Sequence, residues 1–296
     1  MSAHSAPAGG LAPRDLALAV AVAALWGLSF IATKIGVAQA PPLFLTALRY
    51  VLVCLPAIFF TPRPKVRLVD LAGYGICICC GQMGLLFVAI GNGMPSGLAS
   101  LVIHTQVPFT IALAWLVLGQ KARPGQIVGA LIAFSGLALI GFLRGDAAPF
   151  WPFVGVVAAA AFLSVGNMFS IRAGRTDVFS FIVWSSLFGL IPLVPLSLAL
   201  EDHAAIWRAL SQPSLAVWGS AAFLAYAPTI LGFGGWAWLL SRYPAAQVTP
   251  FALLVPVFGF SAAAYAFGEK LPIGLGFGAV VVMAGLATTV FAGRAR

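Results

Sequence analysis

The chain has 296 residues, of which 61% are hydrophobic and only 8% charged, and its formal net charge is +9. So few charges would leave a soluble globule with a broad exposed apolar face, which excludes a soluble enzyme, a secreted disulfide module and a DNA-binding domain as readings of the whole chain. The basic residues lie scattered between apolar runs without interleaved aromatics, so the positive balance reads as membrane topology, with no nucleic-acid partner expected.

Residues 1–13 are small and polar without a basic leader, and read as a short disordered tail. Ten apolar runs follow, over about 15–36, 42–61, 69–91, 96–118, 125–143, 151–172, 178–199, 214–239, 247–268 and 272–292. Each is near the ~20 residues a helix needs to cross a bilayer core. The runs are continuous rather than alternating, so helices are predicted and not a barrel. The expected fold is an all-α polytopic membrane protein with the lipid bilayer as its surroundings.

In span 1, Trp26 and Phe30 share a face, and Lys34 stands at the far end, placed to snorkel to the interface. Span 2 carries Arg49 well inside the run, paired either with carbonyls or with a substrate carboxylate. Cys54, Cys77, Cys79 and Cys80 lie inside spans 2 and 3 without a second Cys/His cluster, so reduced thiols are expected and no metal site or cofactor. Gln82, near the middle of span 3, is either a substrate ligand or interhelical glue between Gly81 and Gly84.

Span 4 holds His104, the one histidine within a run. It is either a substrate ligand or a packing residue bonded to a backbone carbonyl. Gln106 lies roughly 200° further round the helix, so the two do not face one cavity equally. Asn167 in span 6 has the same two readings as Gln82. Tyr226 in span 8 and Phe251 in span 9 join Trp26 and Phe30 as candidates for an aromatic wall. Trp151, Trp207 and Trp218 read as interface anchors. Pro108 and Pro256 bend spans 4 and 9, as gating hinges or as static kinks.

All seven acids, Asp15, Asp70, Asp146, Asp177, Glu201, Asp202 and Glu269, fall at span ends or in loops. No buried carboxylate is placed to relay protons or hold a sodium ion. With the amino terminus in the cytoplasm, 11 of the 16 basic residues fall on the cytoplasmic side, which places both termini there.

The chain also repeats itself. Gly97 to Pro108 matches Ala245 to Pro256, Leu118-Gly119-Gln120-Lys121 matches Phe267-Gly268-Glu269-Lys270, and Gly136 matches Gly285, at an offset of 148–149 residues. The halves are 14–143 and 151–292. Five spans per half is odd, so the second half enters the membrane inverted, a plan of secondary transporters that places the substrate between the halves. No phosphate-binding loop, His-Glu-x-x-His or Gly-x-Ser-x-Gly occurs, so neither ATP-driven transport nor an enzyme is expected.

This duplication, with Trp26-Gly27-Leu28-Ser29-Phe30, Leu48-Arg49-Tyr50 and the two Gly-Gln/Glu-Lys span ends, resembles the EamA-type drug/metabolite transporter superfamily over about residues 14–292. Within it, Arg63-Pro64-Lys65-Val66, Gly93-Met94-Pro95-Ser96-Gly97 and Leu253-Leu254-Val255-Pro256-Val257 are most similar to the bacterial cysteine/O-acetylserine exporters, and more distantly to aromatic amino acid exporters. The resemblance implies inner-membrane export of neutral amino acids by alternating access, with a monomer sufficient and a different metabolite or an organic cation as the alternative cargo. Two positions depart from the pattern. Span 6 reads Phe162-Leu163-Ser164-Val165-Gly166-Asn167 where a tryptophan is expected, and His104 replaces a neutral amide.

Overall fold

A computed structural model describes residues 11–55, 57–174 and 176–292. Most of the expected tail, with Arg175, Arg294 and Arg296 of the basic tally, lies outside them. Among the described residues all regular structure is helical. Ten helices among these residues are long and apolar enough to cross a membrane: Pro13–Val37, Pro42–Phe59, Leu68–Gly91, Ser96–Val117, Pro124–Leu143, Phe150–Ala173, Val178–Leu200, Leu215–Arg242, Thr249–Phe267 and Ile273–Ala292. They are spans 1 to 10, and each coincides with an expected run.

Local chemistry sets their ends. Spans 1, 2 and 5 begin on proline, which presets the first helical φ and lacks an amide that would go unpaired there. Spans 4 and 9 both stop at a glycine in the left-handed region, Gly119 at φ 65° and Gly268 at φ 62°. A side chain disfavours that φ, which gives the repeated Leu-Gly and Phe-Gly motif a physical reason.

Residues 200–213 fall between the apolar runs of spans 7 and 8. There, His203–Ser211 forms a short amphipathic helix. The Asp202 carboxylate caps it by accepting from the Ala204 amide at 3.0 Å. Ile206 and Ala209 turn inward while Trp207 faces out, the arrangement of a helix lying in a membrane interface.

Four irregularities fall at matching places in the two halves. Span 3 passes through a π-helical stretch, Gly75–Gln82, and span 8 through another, Ala225–Gly232. Span 4 tightens to a 3-10 turn at Ile103–Thr105, and span 9 does so at Thr249–Leu253. The 3-10 turns follow from Pro108 and Pro256. Each proline lacks an amide hydrogen and crowds the carbonyl four residues back, at His104 and Ala252, inside the tightened turn. Pro228 similarly interrupts span 8, where the Thr229 hydroxyl donates to the Leu224 carbonyl at 2.8 Å. Span 3 has no proline. Its π stretch instead presses Gly75 against the Ser185 and Gly189 backbone of span 7.

Spans 5 and 10 form the most extensive helix pair. Gly129 meets Thr289, Ala133 meets Gly285, Gly136 meets Val282 and Ile140 meets Gly278, so the two helices run antiparallel. Gly278 is the repeat equivalent of Gly129, and Thr289 of Ile140, so the contact is self-complementary. A Cβ on Gly136 would stand 2.6 Å from the Val282 amide nitrogen. Small residues at these positions are what lets two backbones approach within a membrane.

Spans 4 and 9 behave differently at their two ends. Gly97 and Ser100, early in span 4, pack on Phe260, Ala263 and Gly259, late in span 9. Beyond its 3-10 turn, span 4 packs on spans 5 and 6, while the 3-10 turn of span 9 packs on spans 1 and 10. The two kinked helices are therefore joined at one end of the bundle and part toward the other.

Candidate functional site

The closed end is held by charge. The Glu269 carboxylate, in the link between spans 9 and 10, accepts from the Lys34 ammonium at 2.6 Å, the Ser96 amide at 3.0 Å, the Ser96 hydroxyl at 2.9 Å and the Gly97 amide at 3.0 Å. Two of these are unpaired amides at the first turn of span 4, where the helix dipole also favours an anion. Burial opposes ionisation of Glu269, but the Lys34 ammonium, the Gly97 and Ser96 amides and the Ser96 hydroxyl outweigh it and hold the carboxyl below the usual glutamate range. Lys34 is thus paired rather than snorkelling. Gln120, the repeat equivalent of Glu269, is exposed at the open end and makes no side-chain hydrogen bond among the described residues.

A second carboxylate works in the same manner. Glu201, ending span 7, accepts from the Leu43 amide at 2.6 Å, the Phe44 amide at 2.8 Å and the Ser197 hydroxyl at 2.7 Å, capping span 2. Asp15 accepts from the Tyr243 hydroxyl, tying the start of span 1 to the end of span 8. None of these three partnerships was apparent from local sequence.

The polar residues expected within the spans fall into separate groups. Between spans 4 and 6, Asn167 donates its amide to Gln106 Oε1 at 3.0 Å and faces Thr110 at 3.4 Å, while Thr110 donates to the same Gln106 oxygen at 3.1 Å. Ser164 donates to the Gln106 carbonyl at 2.9 Å, at the place where Pro108 disturbs the helix. His104 turns elsewhere. Its Nδ1 lies 2.8 Å from the Ser100 carbonyl of its own helix, the donor position in a neutral ring, which leaves Nε2 as an acceptor.

Arg49 and Gln82 form the second group, between spans 2, 3 and 8. Arg49 donates to the Thr229 hydroxyl at 2.7 Å and touches the Met83 sulfur at 3.3 Å, and the Gln82 amide nitrogen lies 3.6 Å from that sulfur. Sequence gave no signal for Thr229 or Met83 beyond their lying in spans.

Trp26 anchors the aromatic group. Its indole donates to the Pro228 carbonyl at 2.9 Å, and its ring lies 5.4 Å from Phe233 and 5.2 Å from Trp236. The carbonyl it binds belongs to the π stretch of span 8. Phe30 is buried in the main core. Phe251 packs near Ala19, Leu239, Tyr243 and Val248, and Tyr226 on span 8 is exposed. Pro108 and Pro256 are both buried. Cys54, Cys77 and Cys79 are buried free thiols, and Cys80 is half-buried.

A surface hollow of about 440 Å³ lies among Lys65, Val66, Arg67, Asp70, Arg172 and Ala173 at one end of the bundle. Arg49, Gln82, His104, Gln106 and Asn167 do not line it.

The EamA-like transporter family matches this chain twice, over residues 15–142 and 150–291. A probable amino-acid metabolite efflux pump of Salmonella typhimurium is 41% identical over 96% of this chain and 97% of its own length. One of Escherichia coli is 40% identical over the same shares. A crystal structure with 19% sequence identity superposes with a TM-score of 0.64, covering 95% of this chain and 97% of its own, which speaks to fold alone.

Proposed function

The chain belongs to the EamA-like transporter family, and we propose that it is a secondary carrier exporting neutral amino acids and related metabolites across the bacterial inner membrane. It is a multi-pass membrane transporter and not an enzyme. The cargo proposed first is cysteine or O-acetylserine, then threonine, with aromatic amino acids as a wider range. The similarity to pumps described as acting on amino-acid metabolites supports this.

Alternating access is proposed as the mechanism, with the halves 14–143 and 151–292 as inverted repeats and both termini in the cytoplasm. The observation that carries it is the unequal treatment of spans 4 and 9. Their 3-10 turns occupy matching positions, yet among the described residues only one of the two equivalent end contacts is made. Rocking one half against the other would break the Glu269 end and bring the Gln120 end together. The antiparallel, self-complementary pairing of spans 5 and 10 supports the inversion and supplies an axis for the rocking. Under this topology Glu269 closes the outer side, so the structure faces inward, ready to load an exporter.

Gln106 and Asn167, Arg49 and Gln82, His104 Nε2, and Trp26 with Phe30, Tyr226 and Phe251 are proposed to line the pathway. Pro108 and Pro256 are proposed as its hinges. An organic-cation cargo is disfavoured, because the buried charge among these lining residues is Arg49, a cation. Purified protein in liposomes should exchange labelled cysteine, threonine or an aromatic amino acid by counterflow without ATP. Absence of exchange across such a panel would refute the amino-acid reading.

A further inference from the structure

Arg49 is 3% exposed, and among the described residues no carboxylate pairs with it. A buried guanidinium without an anion is costly, and a bound anion would offset that cost. The partners present are poor ones for a cation. They are one hydroxyl, the Met83 thioether and the face of the Tyr50 ring, 5.3 Å away. Arg49 Nε makes no hydrogen bond. Beside it, Gln82, also 3% exposed, turns its amide nitrogen to the same thioether and leaves Oε1 without a partner. Two side chains that meet at a single sulfur atom thus leave one buried donor and one buried acceptor open.

We propose that Arg49 and Gln82 read the zwitterion of an α-amino acid, with the Met83 side chain as a placeholder that the substrate displaces. The substrate carboxylate accepts from Arg49 Nε and from the Nη2 hydrogen on the same edge of the guanidinium. The substrate ammonium donates to Gln82 Oε1. The Thr229 hydroxyl accepts the other Nη2 hydrogen, fixing the plane of the fork that a carboxylate meets in bidentate fashion. Methionine suits the displaced role, because its thioether is flexible and a weak acceptor.

The backbone gives a second, independent indication. Gln82 closes the π stretch of span 3, and Thr229 lies within that of span 8. Such stretches recur at functional sites, where the extra residue per turn redirects side chains and lets a helix shift register. Both converge on Arg49, so a change in either helix during rocking alters the partners of the cation. Substrate charge would then be felt by both halves.

This inference rests on the amino-acid reading above, and the test separates the two. Detergent-purified full-length protein is titrated with the amino acid that binds most tightly in the counterflow panel. It is then titrated with the matching amine, lacking the carboxylate, and the matching acid, lacking the ammonium. Loss of one or two charge-assisted bonds predicts that each analogue binds about 10- to 100-fold more weakly. Arg49→Met should lose amino-acid binding while raising the melting temperature of ligand-free protein, since it removes an uncompensated buried charge. Gln82→Leu should abolish the preference for the amino acid over the ammonium-free acid. Equal binding of amino acid, amine and acid by the wild-type protein overturns the inference even if every variant misfolds. So does retained affinity in Arg49→Met. Failure of the wild type to bind any amino acid overturns the proposed function and this inference together.

Discussion

The Lys34 ammonium, at the end of span 1, lies 2.6 Å from the Glu269 carboxylate, which also caps the start of span 4. Spans 1, 4, 9 and 10 therefore converge on one anion. The Lys34 side chain is 34% exposed and that of Glu269 10%. The carboxylate is thus the sheltered partner, and two helix amides hold it together with the lysine. In the proposed cycle this is the contact that must open for release.

Glu269→Gln retains the shape of the side chain and removes its charge. At pH 7 the substitution should lower the unfolding free energy by about 1–2 kcal/mol. The folded-state pKa of Glu269 lies below its ordinary value. Its contribution is therefore complete above the ordinary glutamate range and is lost as pH falls through the folded value. Thermal unfolding of both proteins across pH checks this. The gap should hold through neutral pH and close only in acid, and a gap unchanged in acid would falsify the assignment.

Glu201→Ala removes the acceptor of two amides at the start of span 2 and of the Ser197 hydroxyl. The loss should be about 1–2 kcal/mol, the usual cost of uncapping a helix. Glu201→Gln should fall between that variant and the wild type. The order of the three melting temperatures is the readout.

Gly285→Ala places a methyl group against the Ala133 backbone, which cannot yield as a flexible side-chain end can. A destabilisation above about 3 kcal/mol and a fall in folded yield are expected. Gly234→Ala is the control, because a Cβ there meets nothing within 4 Å. Gel filtration after membrane extraction should distinguish the two immediately.

Gln106→Leu removes the acceptor shared by Asn167 and Thr110. Counterflow should fall about tenfold, equivalent to ~1.4 kcal/mol in the barrier, with little change in melting temperature. A residue serving only to pack would behave in the opposite sense, lowering the melting temperature and leaving exchange per folded molecule intact.

Much of the architecture is local and was legible for that reason. A bilayer requires each crossing segment to satisfy its own backbone, so hydropathy alone located ten helices close to their final ends. The prolines of spans 4 and 9 foretold disturbed helices because a missing amide acts within one turn. The Leu-Gly and Phe-Gly motifs foretold the stops, since a left-handed φ belongs to a single residue. The interfacial helix His203–Ser211 escaped because it is too short and too polar to register as a crossing.

The sequence by itself therefore determined the spans, their glycine stops and proline kinks, and the duplication. Only the tertiary structure decided which polar groups meet. Lys34 and Glu269 are 235 positions apart, and Arg49 and Thr229 are 180. Hydropathy carries no information about such pairs, because their proximity depends on how ten similar helices pack. It also decided what is left unmet. The isolation of Arg49 Nε and Gln82 Oε1 follows from their burial together beside a methionine, a property of the packed bundle and of no single helix.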